Sequence, residues 1–453
     1  MTVTEQIQKR LSDSAIARWS AMAIVSFTMM CGYFITDVMA PLEDLLTKSI
    51  TDGGLGWTSG EYGFFSGAYG YINVFLLMLF FGGIILDKCG IRITGTISCS
   101  LMLAGAIIKW YALDNNFGDA EIFGYPMQVA VAALGFAIFG MGAEITGITV
   151  TKVIAKWFTG HEMALAMGLQ VAMARIGTAA ALALSLPFAE MMGNISAPLL
   201  LGAALLCIGL VSYLVYCVLD RKLDASCETQ EENKEDEFQL TDLKYIFTNK
   251  GFWLITILCL MFYSGVFPFL KFATKLMIYK YGVEPEIAGL IPAMLPFGTI
   301  LLTPIFGSMY DRVGKGATLM IIGSAMLTLV HVLFALPILN VWWFAIIIMI
   351  LLGIAFSLVP SAMWPSVPKI IPLKQLGSAY SIIFYIQNIG LSMVPVLIGW
   401  IIDTQSTITN ANGEIVGYDY TIPMSIFALF GIIAIAISMM LKKEDAKKHY
   451  GLE

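Results

Sequence analysis

Arg175 stands in the stretch MGLQVAMARIG, Met167 to Gly177, with no other charged residue for ten positions on either side. Placing an arginine at the centre of a bilayer costs about 2.5 to 3.5 kcal/mol on insertion scales, so such a charge needs a partner or a wet cavity. A matching acid lies upstream in GAEITG, at Glu144. The connection between the two helices centres near Thr159, fifteen residues after Glu144 and sixteen before Arg175. At 1.5 Å per residue both charges then stand about 22 to 24 Å from that turn, near the midplane of a core about 30 Å thick. Two outcomes are open. Glu144 and Arg175 form a structural pair that locks the hairpin, or each holds one end of a solute, since a guanidinium fork suits a carboxylate and a carboxylate suits an ammonium.

Three further ionisable residues fall in apolar runs: Asp37, Lys271 and Lys275. CGYFITD puts Tyr33 and Asp37 at i and i+4, and YSGVFPFLKFATK puts Tyr263, Phe267, Lys271 and Lys275 on one stripe. Pro268, three residues after Gly265, predicts a kink. The two lysines lie toward the outer end of their helix, where snorkelling to the interface is the plain alternative to binding. Tyr69 with Asn73, and Tyr385 with Asn388, are polar groups placed to line a cavity, although aromatic residues in spans more often pack. His331 is taken as structural.

These side chains must be held by membrane helices. Of 453 residues, 58% are hydrophobic and 13% charged, and the mean hydropathy is +0.80, which excludes an ordinary soluble domain. Twelve apolar runs of spanning length are expected at roughly 17–41, 59–86, 93–113, 125–156, 161–190, 196–219, 250–280, 285–309, 316–337, 341–368, 376–402 and 420–441. The polar stretch from Asp220 to Phe247 divides them six and six. The expected organisation is a helical bundle over 1–219, a solvated linker over 220–247 and a second bundle over 248–453. Most of the 26 Lys and Arg residues fall on the side of both termini, whereas acids such as Glu43, Asp44, Asp52, Glu284 and Asp419 fall opposite. The positive-inside rule then puts both termini in the cytoplasm. The net charge of −6 reflects sidedness and points to no nucleic-acid partner. The seven cysteines show no disulfide framework or metal spacing. No nucleophile with a positioned base and no phosphate loop appears, so neither an enzyme nor a bound cofactor is expected. The first hydrophobic run lacks a cleavage site and is expected to stay as a helix.

GIILDKCGIR and GSMYDRVGK share the pattern G-x-x-x-D-x-x-G at the terminus-facing end of the second helix of each half: Gly83, Asp87 and Gly90, with Arg92 beyond, and Gly307, Asp311 and Gly314. The glycines permit a tight turn and close backbone approach, and the aspartate can cap the next helix or pair with a cation. With twelve helices and a central basic linker, this duplicated gating pattern resembles the major facilitator superfamily over essentially the whole chain. The resemblance implies an all-α fold of two pseudo-symmetric six-helix bundles rocking around a central site.

A closer resemblance rests on GYFITD, GAEITG, GHEMALAMGLQVAMARIG, VFPF, SAMWPSVPKIIPLKQLGSAY and IQNIG, which run from the first helix toward Asp403. These segments look like the branch that contains the lysosomal dipeptide uniporter of animals. That branch implies dipeptide transport, with the fourth-helix glutamate at Glu144 facing the peptide amino end and the fifth-helix arginine at Arg175 facing charged or carboxyl groups. Trp364, inside one of these segments, joins the expected cavity lining. The outer loops are short and the amino tail lacks an acidic dileucine signal, so the expected setting is a bacterial inner membrane. The E-x-x-E-R pattern of proton-coupled peptide transporters is missing from the first helix, which leaves Asp37 and Glu144 as the carboxylates to titrate if protons are partners. The expected partners are a small-molecule dipeptide and the lipid bilayer, and the chain is expected to be a monomer. Two competing readings are an organic-anion or monocarboxylate carrier held by Arg175 and the lysines, and a non-transporting sensor in the same fold.

Overall fold

In lipid a backbone has no water to bond, so an apolar run must satisfy its own N–H and C=O groups as a helix. The computed structural model describes residues 11–158, 161–226, 245–372, 375–411 and 415–453, the side chains of 87, 164 and 226 excepted. The turn near Thr159 and most of the central connection lie outside the described residues. Eleven described helices are long and apolar enough to span a membrane, and a bent pair raises the number to twelve. The first, third and fourth spans are Ala15–Asp37, Lys88–Asp114 and Met127–Phe158. The fifth and sixth helices are Met163–Met192 and Ala197–Ser226. The seventh to tenth are Lys250–Tyr281, Pro285–Val313, Gly316–Ala335 and Trp342–Ile370, and the last two are Leu376–Ser406 and Thr421–Lys448. The sixth helix runs past Asp220, whose side chain is buried.

The second span departs from the continuous helix expected over 59–86. Ser59–Phe75 and Met78–Leu86 meet at 60°. Leu77 takes a left-handed φ of 53° at the corner, and the preceding turn tightens to a 3-10 helix at Ala68–Gly70. Nothing in hydrophobic periodicity signals this corner, because every residue around it is apolar.

Helix packing repeats with a shift of six. The first span packs on the fifth and sixth, as the seventh does on the eleventh and twelfth; the third packs on the fourth and sixth, as the ninth does on the tenth and twelfth. The two halves meet where the second span lies against the eleventh and the fifth against the eighth. At the end remote from the termini the backbones touch. A Cβ on Gly63 would strike the backbone of Pro395 and Gly399, and one on Gly399 would strike Ser59. Asp403 accepts hydrogen bonds from the backbone N–H of Ser59 at 2.7 Å and from that of Gly60. Tyr62 donates to the Lys271 carbonyl at 2.9 Å. The side-chain hydrogen bonds and ion pairs found between the halves, among the described residues, cluster at this far end. At the other end Gly83 and Gly307 face open space.

The duplicated motif has a conformational reason. Gly90 has φ 75° and ψ 169°, and Gly314 has φ 66° and ψ −135°. Both conformations are essentially reserved for glycine. Each breaks the chain between the second and third helices of its half. Arg92 reaches Asp224 at 2.7 Å and Asp220 at 3.4 Å, and Lys156 pairs with the same two acids. These contacts tie the third, fourth and sixth helices together at the terminus-bearing end. Asp311 is exposed.

Candidate functional site

Glu144 and Arg175 do not pair. The fifth span packs chiefly on the first and eighth, and the fourth on the third; the fourth and fifth touch each other only slightly, and the first span touches both. The backbone of Met30 and Phe34 fills the space beside Gly177. The hairpin lock weighed from sequence is therefore not formed, because the two helices are not principal neighbours. Glu144 instead accepts a 2.8 Å hydrogen bond from the Tyr69 hydroxyl. Arg175 lies over two rings of the opposite half, 5.6 Å from the centre of Phe267 and 5.2 Å from that of Phe356. Rings within about 6 Å attract a cation through their quadrupole without neutralising it. No carboxylate among the described residues pairs with Arg175.

Beside Glu144 a cavity of about 60 Å³ is lined by residues including Tyr33, Thr36, Tyr69, Met102 and Gly147. Gly147 borders this space, whereas Gly140 is taken up by close approach to the backbone of Tyr69. Around Arg175, the hydroxyl of buried Tyr263 accepts a 3.0 Å hydrogen bond from the Trp364 indole, and Phe356 packs edge-on to Tyr263 and Phe267. Glu144, Arg175, Tyr33, Tyr69, Phe267, Trp364 and Tyr385 are all half-buried. Tyr385 meets Phe80 across the halves at 5.8 Å.

The two lysines do not snorkel. Lys271 bonds Asp37 at 2.7 Å and the Thr36 carbonyl at 2.8 Å, joining the first and seventh spans. Lys275 is fully buried, donates to Thr47 at 2.7 Å, and lies 3.7 Å from Glu43, which follows the first span. Both lysines thus turn toward buried groups of the other half, Asp37 and Thr36 for Lys271 and Thr47 for Lys275. The two asparagines use their amide nitrogens locally: Asn73 donates to the Gly140 carbonyl at 3.3 Å and Asn388 to the Phe384 carbonyl of its own helix at 3.0 Å, while the Oδ1 of each is buried with no hydrogen-bond partner among the described residues. His331 is structural as expected, bonded to the Gly265 carbonyl at 2.7 Å.

Three residues escaped the sequence reading. Phe356 looked like any apolar residue of its span. Lys109 is fully buried, bonded to the Ile35 carbonyl at 3.1 Å and 4.1 Å from the Phe136 ring centre. Its position five residues from Asp114 at the helix end disguised it. Glu43 read as one more outer acid.

Two six-helix halves of membrane-spanning helices that close on each other at one end have the architecture of a membrane transporter. The chain belongs to the major facilitator superfamily, whose family model, Major Facilitator Superfamily, matches residues 22–395 and 269–452. The lysosomal dipeptide transporter MFSD1 of Danio rerio is 30% identical over 341 residues, covering 73% of this chain and 70% of that one. The Homo sapiens protein of that name is 29% identical over 342 residues, with 73% and 70% covered. Among solved structures, a bacterial homologue of the human lysosomal transporter Spinster, inward-facing and unoccupied, matches with a TM-score of 0.71 and 12% identity, covering 96% of this chain and 98% of that one. A mutant form of the nucleoside transporter NupG matches at 0.70 and 16% identity, with 94% and 99% covered. At these identities the structural likeness speaks for the fold.

Proposed function

We propose that this transporter is an alternating-access carrier of dipeptides or similar small zwitterions, with Glu144 receiving the ammonium end and Arg175 the carboxylate end. One observation carries the reading: an acidic and a basic side chain within the spans are each half-buried and, among the described residues, are not paired with each other. A ligand that bridges them offsets both desolvation costs at once, and closure around it is then selected by occupancy. The similarity to proteins named as dipeptide transporters supports the substrate class. Asp37 holds Lys271, and Lys275 is fully buried at the outer seam, where it donates to Thr47; among the described residues this leaves Arg175 the basic group of the candidate set with neither an ion-pair nor a hydrogen-bond partner, which weakens the organic-anion alternative. With the termini in the cytoplasm of a bacterial cell, the far-end closure corresponds to an inward-open state.

Counterflow in liposomes tests this. Radiolabelled dipeptide should exchange in the wild type and not against monocarboxylates or dicarboxylates. Arg175→Ala should lose about 2 to 5 kcal/mol of binding, at least thirtyfold in apparent affinity, with normal expression. Arg175→Lys should not restore it, because an ammonium cannot supply the fork. Full dipeptide exchange by Arg175→Ala removes the proposal.

A further inference from the structure

The far-end closure holds a carboxylate that the central site does not use. Glu43 begins the short helix Glu43–Thr47, just beyond the first span, and is fully buried at the seam between the halves. Neither of its carboxylate oxygens has a hydrogen-bond partner among the described residues. Lys275 of the seventh span is 3.7 Å away and equally buried, but it donates to Thr47 and lies 4.0 Å from the ring centre of Tyr418. At 3.7 Å the lysine is a Coulombic neighbour and not a hydrogen-bond donor to Glu43. The other groups facing Glu43 come from every element packed there: Asp44 on its own helix, Asp403 at the end of the eleventh span, Tyr62 of the second span, Tyr279 of the seventh, and Tyr420 before the twelfth. Asp44 is matched by Lys48 at 2.8 Å, and Asp403 by the helix start at Ser59 and Gly60. Glu43 therefore has the weakest compensation of the three acids.

A buried carboxyl without donors is cheaper neutral than charged. We propose that Glu43 is a proton-binding site of the outer gate, its protonated form holding the two halves shut on the far side. This rests on the alternating-access reading given above. Burial is the largest influence on Glu43 and raises it from 4.5 to about 8, with Lys275 opposing and Asp44 adding to the rise. Opening the gate would return water to Glu43 and bring it back toward its ordinary value. Between those two values the closed state binds more protons than the open one. Opening thus becomes easier as pH rises through that window, and closure is favoured as pH falls. The proton enters and leaves on the same face, so the site sets the gate equilibrium and does not drive net transport.

Distance measurement between spin labels tests this in the full chain in lipid nanodiscs. The labels sit on Met191→Cys and Ile287→Cys, at exposed outer ends of the fifth and eighth spans, with the native cysteines replaced by serine. The open-to-closed ratio should rise about tenfold or more from pH 5 to pH 9. Glu43→Gln should hold the low-pH ratio throughout. Should that variant fail to fold, Lys275→Met should move the wild-type transition to higher pH. A flat wild-type ratio, a Glu43→Gln protein that still follows pH, or a Lys275→Met transition at unchanged pH overturns the proposal. A dipeptide added at fixed pH separates the two claims. A response to peptide without one to pH sinks the proton site alone, whereas a response to pH without one to peptide supports the proton site and counts against the dipeptide reading.

Discussion

Tyr69 shows how a neutral side chain fixes a charged one. Its hydroxyl donates to Glu144, and hydrogen bonds to charged groups contribute about 1.5 to 3 kcal/mol. Tyr69→Phe should therefore weaken binding of a dipeptide with a free amino end by about tenfold. An N-acetylated dipeptide, which brings no ammonium, should respond far less, and titration calorimetry with both ligands checks this. Equal losses for the two would detach Tyr69 from the amino end. Glu144 and Arg175 were legible in the sequence because an isolated charge in an apolar run stands out against its neighbours. Phe267 stood on the stripe of Tyr263 and Lys271, but Phe356 was not separable from packing residues, since only the fold decides which of many phenylalanines lies under a guanidinium. The lysines misled because snorkelling and burial against an acid leave the same trace in sequence, and the partners Asp37 and Glu43 come from the other half of the chain.

The helices themselves were written in length and apolarity. All twelve spans appear near their expected positions, and the glycine pattern marked the turn after the second helix of each half. Gly314 adopts φ 66° and ψ −135°, where a Cβ is strained by about 1 to 3 kcal/mol. Gly314→Ala should lower the thermal unfolding midpoint in detergent by about 1 to 3 °C, whereas Gly307→Ala, inside a helix where a Cβ meets open space, should not lower it. Equal midpoints for Gly314→Ala and wild type would contradict the conformational reason for the motif. The corner at Leu77 was hidden because bending is a tertiary choice: the half-helix Ser59–Phe75 follows the eleventh span, while Met78–Leu86 turns away without a proline or glycine at the corner to announce it. Likewise, equal distance from a turn predicts one height for Glu144 and Arg175, but it does not say that their two helices are principal neighbours, and they are not.

At the scale of the whole molecule, two similar bundles meet through few polar links, and nearly all of these lie at one end. Such a seam can part and re-form as a unit, since the halves keep their own internal packing. The charges at the centre belong to different surroundings, with Glu144 held by its own half and Arg175 resting on rings of the other. Both charged groups belong to the first half, so a zwitterion bound to both would meet the second half through the rings that lie against Arg175. The most direct measurement is a dipeptide-bound structure of the wild-type protein. The clamp predicts ligand density in the central space with its amino nitrogen within hydrogen-bond distance of Glu144 and its carboxylate bidentate on Arg175. Peptide density elsewhere, with Glu144 and Arg175 joined to each other or turned away from it, would contradict that claim.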